Sequence, residues 1–151
     1  MLNLYKISNN KLSSVIHIPI NSDGIKSLKS LESSLDVKFV SRLKDAQFKG
    51  NLMERCSFEV ISQKKNLSIN FIGLGEKNQL DEEKVFKVFS SITYSRVKSK
   101  KKIKESSVII PECLNIDLLS MSFQGLYNGF YAFDKYKTKK DDLSSYKIGI
   151  K

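Results

Sequence analysis

Few side chains in this sequence have the types and spacing that chemistry requires. The stretch that comes nearest is "GLG", Gly73–Gly75, which stands between a predicted strand and a predicted helix. A glycine turn in that position can present backbone N–H groups to a phosphate. The dinucleotide fingerprint needs a third glycine three residues after the second, and Asn78 occupies that place. We therefore interpret Gly73–Gly75 as a tight strand-to-helix turn, with a phosphate site as the alternative.

The single histidine and the two cysteines form no metal or redox pattern. His17 lies in the apolar segment "VIHIPI", which favours a structural role inside a strand. Cys56 and Cys113 are distant in sequence, and with one histidine they do not make an ordinary zinc site. The N-terminus shows no charged region followed by an apolar one, so no signal peptide is visible. Free thiols without a secretory signal predict a reducing, cytoplasmic location.

The carboxylates also lack a catalytic arrangement. Asp81, Glu82 and Glu83 are adjacent, but they suit the start of a helix, where negative charge is favoured. Asp141 and Asp142 suit a solvated turn. We find no Ser/His/Asp or Cys/His arrangement of the kind that activates a nucleophile. The sequence therefore predicts no catalytic residue, no cofactor-binding residue and no metal ligand in this chain.

The net charge of +10 raises a nucleic-acid partner as an alternative. Eight basic residues and no acidic one lie within Lys84–Lys104. Of the 26 basic residues, however, 23 are lysines, and arginine is the better reader of phosphates and guanine edges. The aromatic and basic stretch Asn128–Asp142 has a net charge of only +1 from Asp134 onward, which is too small for an anchor on DNA or on a membrane. No apolar run is long enough to span a membrane.

The hydrophobic pattern predicts one α/β domain over residues 1–151, with a mixed sheet and helices packed on its faces. Predicted strands lie at "NLYKIS", "SSVIHIPI", "CSFEV", "LSINFIGLG", "SSVIIP" and "YKIGI", with a turn at Asn9–Asn10 after the first. In "CSFEV" we expect Cys56, Phe58 and Val60 to point inward. The continuous apolar run at Phe71–Ile72 predicts a central strand that is covered on both faces.

Three helices are predicted from caps and periodicity. The first is capped by Asp23 and runs to about Leu35, with Ile25, Leu28, Leu31 and Leu35 on one face. The second is capped by Asp81, and its apolar face is Val85, Val88, Phe89, Ile92 and Val97. The third is capped by Asn115 or Asp117, and its apolar face is Leu118, Leu119, Phe123, Leu126 and Phe130. After Phe130 we expect Tyr131, Phe133 and Tyr136 to belong to an extended segment that still touches the core.

Two segments together resemble the N-terminal domain of the leucyl (cytosol) aminopeptidases. The first is "FIGLGEKNQLDEEKVFKVFSSI", which is similar to the strand–GLG–helix unit of that domain. The second is "GLYNGFYAFDKYKTKK", which is similar to the glycine–aromatic–"FDKYK"–lysine segment near its end. The distance between them and the strand in the gap also agree. The resemblance covers Ser57–Lys151, and the residues before Ser57 agree only in the order of strand, helix and strand.

The resemblance implies a macrodomain-like, non-catalytic domain that precedes a catalytic domain with two divalent metal ions, zinc or manganese. Such paired metals activate a water and clamp the carbonyl of the peptide substrate. The family's metal-binding segment "NTDAEGR" is absent, so every ligand and catalytic group is expected beyond Lys151, in the rest of a longer protein. The resemblance also implies a cytoplasmic homo-hexamer, in which this domain contacts its own catalytic domain and neighbouring subunits. Some relatives bind DNA in this region.

Two alternative functions remain open at this point. One is a basic α/β module that binds nucleic acid, which rests on the net charge and on Lys84–Lys104. The other is a free-standing, macrodomain-like binder of an ADP-ribose-type ligand, which rests on Gly73–Gly75 and on analogy of fold.

Overall fold

A six-stranded mixed sheet forms the centre of the fold, and α-helices pack on both of its faces. The computed structural model describes residues 2–7, 11–98, 105–134 and 146–151. The strands are β1 (Leu2–Lys6), β2 (Val15–Asn21), β3 (Arg55–Ser62), β4 (Lys65–Gly75), β5 (Glu105–Val108) and β6 (Tyr146–Ile150). The α-helices are α1 (Lys29–Leu35), α2 (Val40–Asp45), α3 (Glu82–Lys98) and α4 (Ile116–Asp134), and 3-10 helices lie at Ser22–Leu28 and Lys77–Gln79.

The strand order is β1-β6-β5-β2-β4-β3. All neighbouring strands are parallel except β3, which is antiparallel to β4. The predicted fold class is therefore confirmed, and all six predicted strands are present. β1 and β2 follow one another in the chain but are not paired, because β1 lies beside β6 at the far edge. The turn predicted at Asn9–Asn10 falls outside the described residues.

Two hydrophobic cores lie on opposite faces of the sheet, and β4 contributes to both. The first core, under α1 and α2, contains Phe71, whose ring centroid lies 5.6 Å from that of Phe39 and 6.1 Å from that of Phe58. The second core, under α3 and α4, contains the next residue, Ile72. Successive side chains of a strand point to opposite faces. The prediction that Phe71–Ile72 belongs to a strand covered on both faces is therefore confirmed.

The inward face predicted for β3 is also confirmed. Val60 is buried in the first core, and Cys56 and Phe58 are partly buried against it. The intervening residues Ser57 and Glu59 are exposed. β3 lies at the edge of the sheet, so its inward side chains are less covered than those of β4.

The helix predicted from Asp23 is wrong in its first half. Residues Ser22–Leu28 form a 3-10 helix, and the α-helix begins only at Lys29. Asn21, not Asp23, lies at the N-cap position, and its side chain makes no cap hydrogen bond. Gly24 disfavours the α-helix, and the Ser27 hydroxyl donates to the Gly24 carbonyl at 2.6 Å, a local bond that competes with helical pairing. The predicted inward face does form, with Leu28 and Leu35 buried and Ile25 and Leu31 packed against the first core.

The short helix α2 was not predicted from the sequence. Its start is stabilised by Glu32, whose carboxylate accepts hydrogen bonds from the backbone N–H groups of Phe39 at 2.6 Å and Val40 at 2.7 Å. The helix buries Leu43 completely in the first core. The capping side chain comes from the preceding helix rather than from the residue before α2, so the usual local start signal is missing.

The N-caps predicted for the two long helices are present. The Asp81 carboxylate accepts a hydrogen bond from the backbone N–H of Lys84 at 2.9 Å, at the start of α3. The Asn115 side-chain oxygen accepts one from Leu118 at 2.9 Å, so Asn115 rather than Asp117 caps α4. In α3, the predicted residues Val85, Val88, Phe89 and Ile92 are fully buried. In α4, Leu126 and Phe130 are buried, and Leu118 and Phe123 pack against the second core.

The two caps should respond differently to acid. The hydrogen bond from the Lys84 backbone, followed by that from the Lys84 ammonium, lowers the pKa of Asp81 below its usual value. A depressed carboxyl pKa stabilises the fold above the unfolded-state value, about 3.9, and this contribution disappears as pH falls through the folded-state value. Asp81→Ala should therefore lower Tm at neutral pH, and the difference from the unsubstituted chain should shrink below about pH 4.

Asn115→Ala provides the matched control, because an amide does not titrate. We expect it to cost about 1 kcal/mol at every pH, the usual value of an N-cap. Thermal denaturation followed by circular dichroism between neutral and acidic pH measures both variants. A pH-independent deficit for Asp81→Ala would contradict the assignment.

The extended segment predicted after Phe130 is wrong within the described residues. Helix α4 continues through Tyr131 to Asp134. The Tyr131 side chain is 64% exposed, so it does not return to the core as predicted. No glycine or proline interrupts the chain between Phe130 and Asp134, so the backbone pairing of the helix can continue. Tyr136 lies outside the described residues.

Candidate functional site

The glycines of "GLYNG" lie where α4 packs against α3. A Cβ atom on Gly129 would lie 2.0 Å from the carbonyl oxygen of Ser90, and one on Gly125 would lie 2.6 Å from that of Phe86. From Gly125 to Gly129 on α4, the carbonyl that each glycine faces changes from Phe86 to Ser90 on α3. The two helices therefore run in the same direction. The glycines allow the two backbones to approach closely, which is the known use of small residues four apart on a helix. The segment that carries part of the family resemblance is thus a helix-packing element.

Polar contacts fix the same interface. The Thr93 hydroxyl lies 2.8 Å from the Leu126 carbonyl oxygen and donates to it. The Asn128 amide donates to the Ser90 hydroxyl at 3.1 Å. Buried polar groups are costly without partners, so the Thr93 bond holds the α4 backbone in a defined register on α3.

The segment Gly73–Gly75 forms the end of β4 rather than the predicted turn. The backbone N–H of Gly73 donates to the Glu54 carbonyl at 2.8 Å, and that of Gly75 donates to the Gly50 carbonyl at 2.9 Å. A Cβ atom on Gly73 would lie 1.8 Å from the carbonyl oxygen of Asn51. Loop 50–54 therefore occupies the space beside this segment and accepts both glycine N–H groups. These two groups do not form the phosphate site that was the sequence-based alternative.

His17 and Cys56 lie in the sheet, apart from each other in the strand order. His17 is 4% exposed on β2, in register with Asn70 of β4 and Val108 of β5. Cys56 is partly buried on β3, and burial, reinforced by the Glu54 carboxylate, raises the pKa of its thiol. A raised thiol pKa lowers the thiolate fraction at neutral pH and with it the nucleophilicity.

The described residues do not fit a two-metal centre. Within residues 2–7, 11–98, 105–134 and 146–151, no group of three or more His, Cys, Asp or Glu side chains could hold a metal ion. Asp81, Glu82 and Glu83 are exposed at the start of α3. Asp141 and Asp142 lie outside the described part of the chain.

The basic block Lys84–Lys104 is only partly described. The Lys84 ammonium forms an ion pair with Asp81 at 2.9 Å and also contacts the Gln79 carbonyl oxygen. Segments 99–104 and 135–145, which the structure does not describe, hold eight basic and two acidic residues, so six of the ten excess positive charges fall there. Phe89 is fully buried and Phe86 and Phe123 are partly buried, as expected of residues at core spacing. Among the described residues, no helix is long and apolar enough to cross a membrane.

A cleft opens at the carboxyl ends of the parallel strands β2, β5 and β6. This carboxyl-edge cleft has a volume of about 810 Å³. Residues of the 3-10 helix and of α1 line it, together with residues 109–113, which follow β5. Lys151 also lines it and is held beside β5, because its carbonyl accepts from Ile110 at 2.7 Å and its N–H donates to Val108 at 3.1 Å.

The position of this cleft follows from the topology. From β2 the chain passes through helices on the first-core face and reaches β4 on one side of β2. From β5 it passes through α4 on the second-core face and reaches β6 on the other side. The cleft lies between the ends of β2 and β5, which are the neighbouring strands from which the chain continues toward opposite edges of the sheet. In open α/β sheets, ligands bind outside the carboxyl ends of the strands at such a switch point.

A solved protein structure shares this fold. A solved structure of a tomato leucine aminopeptidase mutant matches with a TM-score of 0.72 at 11% sequence identity. The match covers 99% of this chain and 32% of that chain, so the present chain spans about a third of its length. At this identity the match shows a shared fold. A search of the curated proteins found no match.

The family is shown by sequence. A profile of the cytosol aminopeptidase family, N-terminal domain, matches residues 21–140, which is most of the chain. The chain therefore belongs to the cytosol aminopeptidase family and represents its N-terminal domain. This confirms the resemblance drawn from the "GLG" and "FDKYK" segments. It also extends that resemblance toward the N-terminus, where the sequence alone agreed only in the order of elements.

Proposed function

We propose that this chain is the non-catalytic N-terminal domain of a two-metal aminopeptidase, which removes N-terminal amino acids from peptides. The observation that carries the proposal is the family match over residues 21–140. The structural match supports it, because a chain of this size accounts for 32% of the leucine aminopeptidase it matches. The two divalent metal ions, zinc or manganese, would bind in the remaining part, where the peptide substrate would also bind.

We further propose a structural or assembly role in a cytoplasmic homo-hexamer. The partners would be the catalytic domain of the same polypeptide and neighbouring subunits. Exposed tyrosines on α3 and α4 support such a role, since Tyr94 is 43%, Tyr127 is 41% and Tyr131 is 64% exposed. Tyrosine is enriched at protein interfaces because it offers a large apolar ring together with a polar tip.

An aminopeptidase assay tests the proposal directly. The 151-residue chain should release no p-nitroaniline above background from leucyl-p-nitroanilide, with or without added Mn²⁺ or Zn²⁺. The longer protein that we propose should be active with added metal, because it would contain the metal ligands. Metal-dependent release by the 151-residue chain would contradict the non-catalytic role. A reading frame without an "NTDAEGR"-like segment after Lys151 would contradict the aminopeptidase assignment.

The two alternative functions receive less support from the geometry. The N–H groups of Gly73 and Gly75 already donate to loop 50–54, which removes the specific basis for a phosphate-binding turn. The nucleic-acid alternative rests on charge, and much of that charge lies in segments 99–104 and 135–145. Contacts to about six phosphates would weaken binding by about 10³ between 50 and 200 mM salt. Binding to DNA or RNA with that salt dependence would favour this alternative.

A further inference from the structure

We propose that the carboxyl-edge cleft binds a zwitterionic ligand with an aliphatic side chain, either a free amino acid or a short peptide with both termini free. This inference goes beyond the proposed function and does not need the catalytic domain. It rests on the charge balance of the cleft, its apolar surface and the polar groups that remain available there.

The cleft is lined by equal numbers of acidic and basic side chains, although the protein as a whole is basic. The ionic side chains that line it are Asp23 and Glu112, opposed by Lys77 and Lys151. These side chains bring no positive excess, although the chain as a whole carries +10, so the cleft does not suit a nucleotide or another polyanion. A zwitterion uses both signs, since its ammonium pairs with a carboxylate and its carboxylate pairs with a lysine. A neighbouring pocket shares Asp23 and Lys77 and adds Glu76, so the surroundings contribute no positive excess.

The cleft also offers aliphatic surface. Leu31, Ile109 and Pro111 line it and are only partly buried. Leu31 and Ile109 pack against the first core, so they are supported from behind. Covering partly exposed apolar side chains with an aliphatic group is favourable by about 25 cal/mol per Å² removed from water. A branched aliphatic side chain matches the chemistry of this surface.

The available polar groups suit an ammonium and a carboxylate. Asn21, at the end of β2, is 5% exposed and lines the cleft, and its side chain does not cap the helix that follows. An amide in that position can donate to a carboxylate or accept from an ammonium. The hydroxyls of Ser27 and Ser34 donate their protons to carbonyls of their own helices at 2.6 and 2.9 Å. With the proton of each hydroxyl engaged in this way, its oxygen can still accept a hydrogen bond, which favours a donor such as an ammonium.

Cys113 provides a reporter inside the cleft, and Cys56 provides a control outside it. Cys113 lines the cleft, whereas Cys56 lies on β3. Burial raises the pKa of the Cys113 thiol, an effect that the Lys77 ammonium partly opposes, so Lys77 acts on the thiol from the cleft. The pKa of Cys56 is raised as well. Alkylation by iodoacetamide at mildly alkaline pH, followed by mass spectrometry, measures each thiol separately in the 151-residue chain.

We expect L-leucine or L-leucyl-L-leucine to slow the alkylation of Cys113 and to leave Cys56 unchanged. At ten times the Kd the rate should fall about tenfold, because about one site in eleven stays empty. N-acetyl-L-leucinamide keeps the side chain but lacks both charges, and it should not protect. Asp23→Asn and Lys151→Gln should weaken the protection by leucine, whereas Lys64→Gln, in the β3–β4 turn, should retain it.

Several outcomes would overturn the inference. An alkylation rate of Cys113 that neither L-leucine nor L-leucyl-L-leucine changes would show that the cleft does not bind these ligands. If N-acetyl-L-leucinamide protected Cys113 as well as L-leucine does, the pocket would recognise only the apolar side chain. If AMP protected Cys113 better than L-leucine does, the cleft would be a nucleotide site. Equal slowing of both thiols would report a change of the whole fold. None of these results bears on the aminopeptidase assay, so the inference and the proposed function fail independently.

Discussion

Gly129→Ala should destabilise the fold by about 3 kcal/mol or more, the upper range for forcing an extra methyl group into a packed interface. The added Cβ would lie 2.0 Å from the Ser90 carbonyl oxygen and 2.5 Å from the Thr93 hydroxyl. Helix propensity alone would predict an increase in stability, because replacing glycine by alanine within a helix is favourable by about 1 kcal/mol. We expect the clash to outweigh the gain in helix propensity, because the backbone oxygen of Ser90 cannot move aside without shifting α3. For a chain of this size, Tm should fall by about 6–12 °C.

Gln124→Ala is the matched control for this prediction. Gln124 lies exposed on the same helix, and its amide makes only a long hydrogen bond of 3.4 Å to Ser120. Urea denaturation of both variants gives the free energies of unfolding. We expect a change within about 0.5 kcal/mol for the control. An unchanged or raised stability for Gly129→Ala would show that α3 and α4 do not pack at this distance.

Gly73→Ala should be similarly costly for a different reason. The Cβ would lie 1.8 Å from the Asn51 carbonyl oxygen and 2.6 Å from the Gly50 carbonyl carbon. The φ angle of Gly73 is not positive, so the backbone itself would accept alanine and the cost comes from the clash. Loop 50–54 must therefore move away from the end of β4. We expect a loss of about 3 kcal/mol or more, as for other overpacked sites.

Hydrogen exchange should localise this second effect. The amide of Met53 donates to the Gly73 carbonyl at 2.9 Å, and the amide of Gly75 donates to the Gly50 carbonyl at 2.9 Å. In Gly73→Ala both amides should exchange faster, because moving loop 50–54 away from the strand breaks both hydrogen bonds. Asn66→Ala, an exposed substitution on the same strand, should leave both rates unchanged. Protection of both amides in Gly73→Ala would contradict the close approach of the loop.

The sequence by itself determined features that depend on neighbours within a few residues. Alternation in β3, the apolar run in β4 and the periodicity of α3 and α4 predicted the presence of those elements, although β4 and α4 both extend further than predicted. Asp81 and Asn115 were identifiable as caps because each side chain bonds to the backbone three residues later. The family was also identifiable, because "GLG" and "FDKYK" are local strings of residues. The sequence pattern could not show what the glycines in these strings contact.

Only the tertiary structure decided features that join distant residues. β1 pairs with β6 across almost the whole chain, and no local pattern specifies that partner. The start of α2 depends on Glu32 in another helix. Gly73 and Gly129 are constrained by loop 50–54 and by α3, respectively, rather than by their own backbone angles. The carboxyl-edge cleft combines residues from Ile18 to Lys151. Periodicity and capping act over a few residues, whereas strand order, close packing and clefts depend on contacts that form only when the chain is folded.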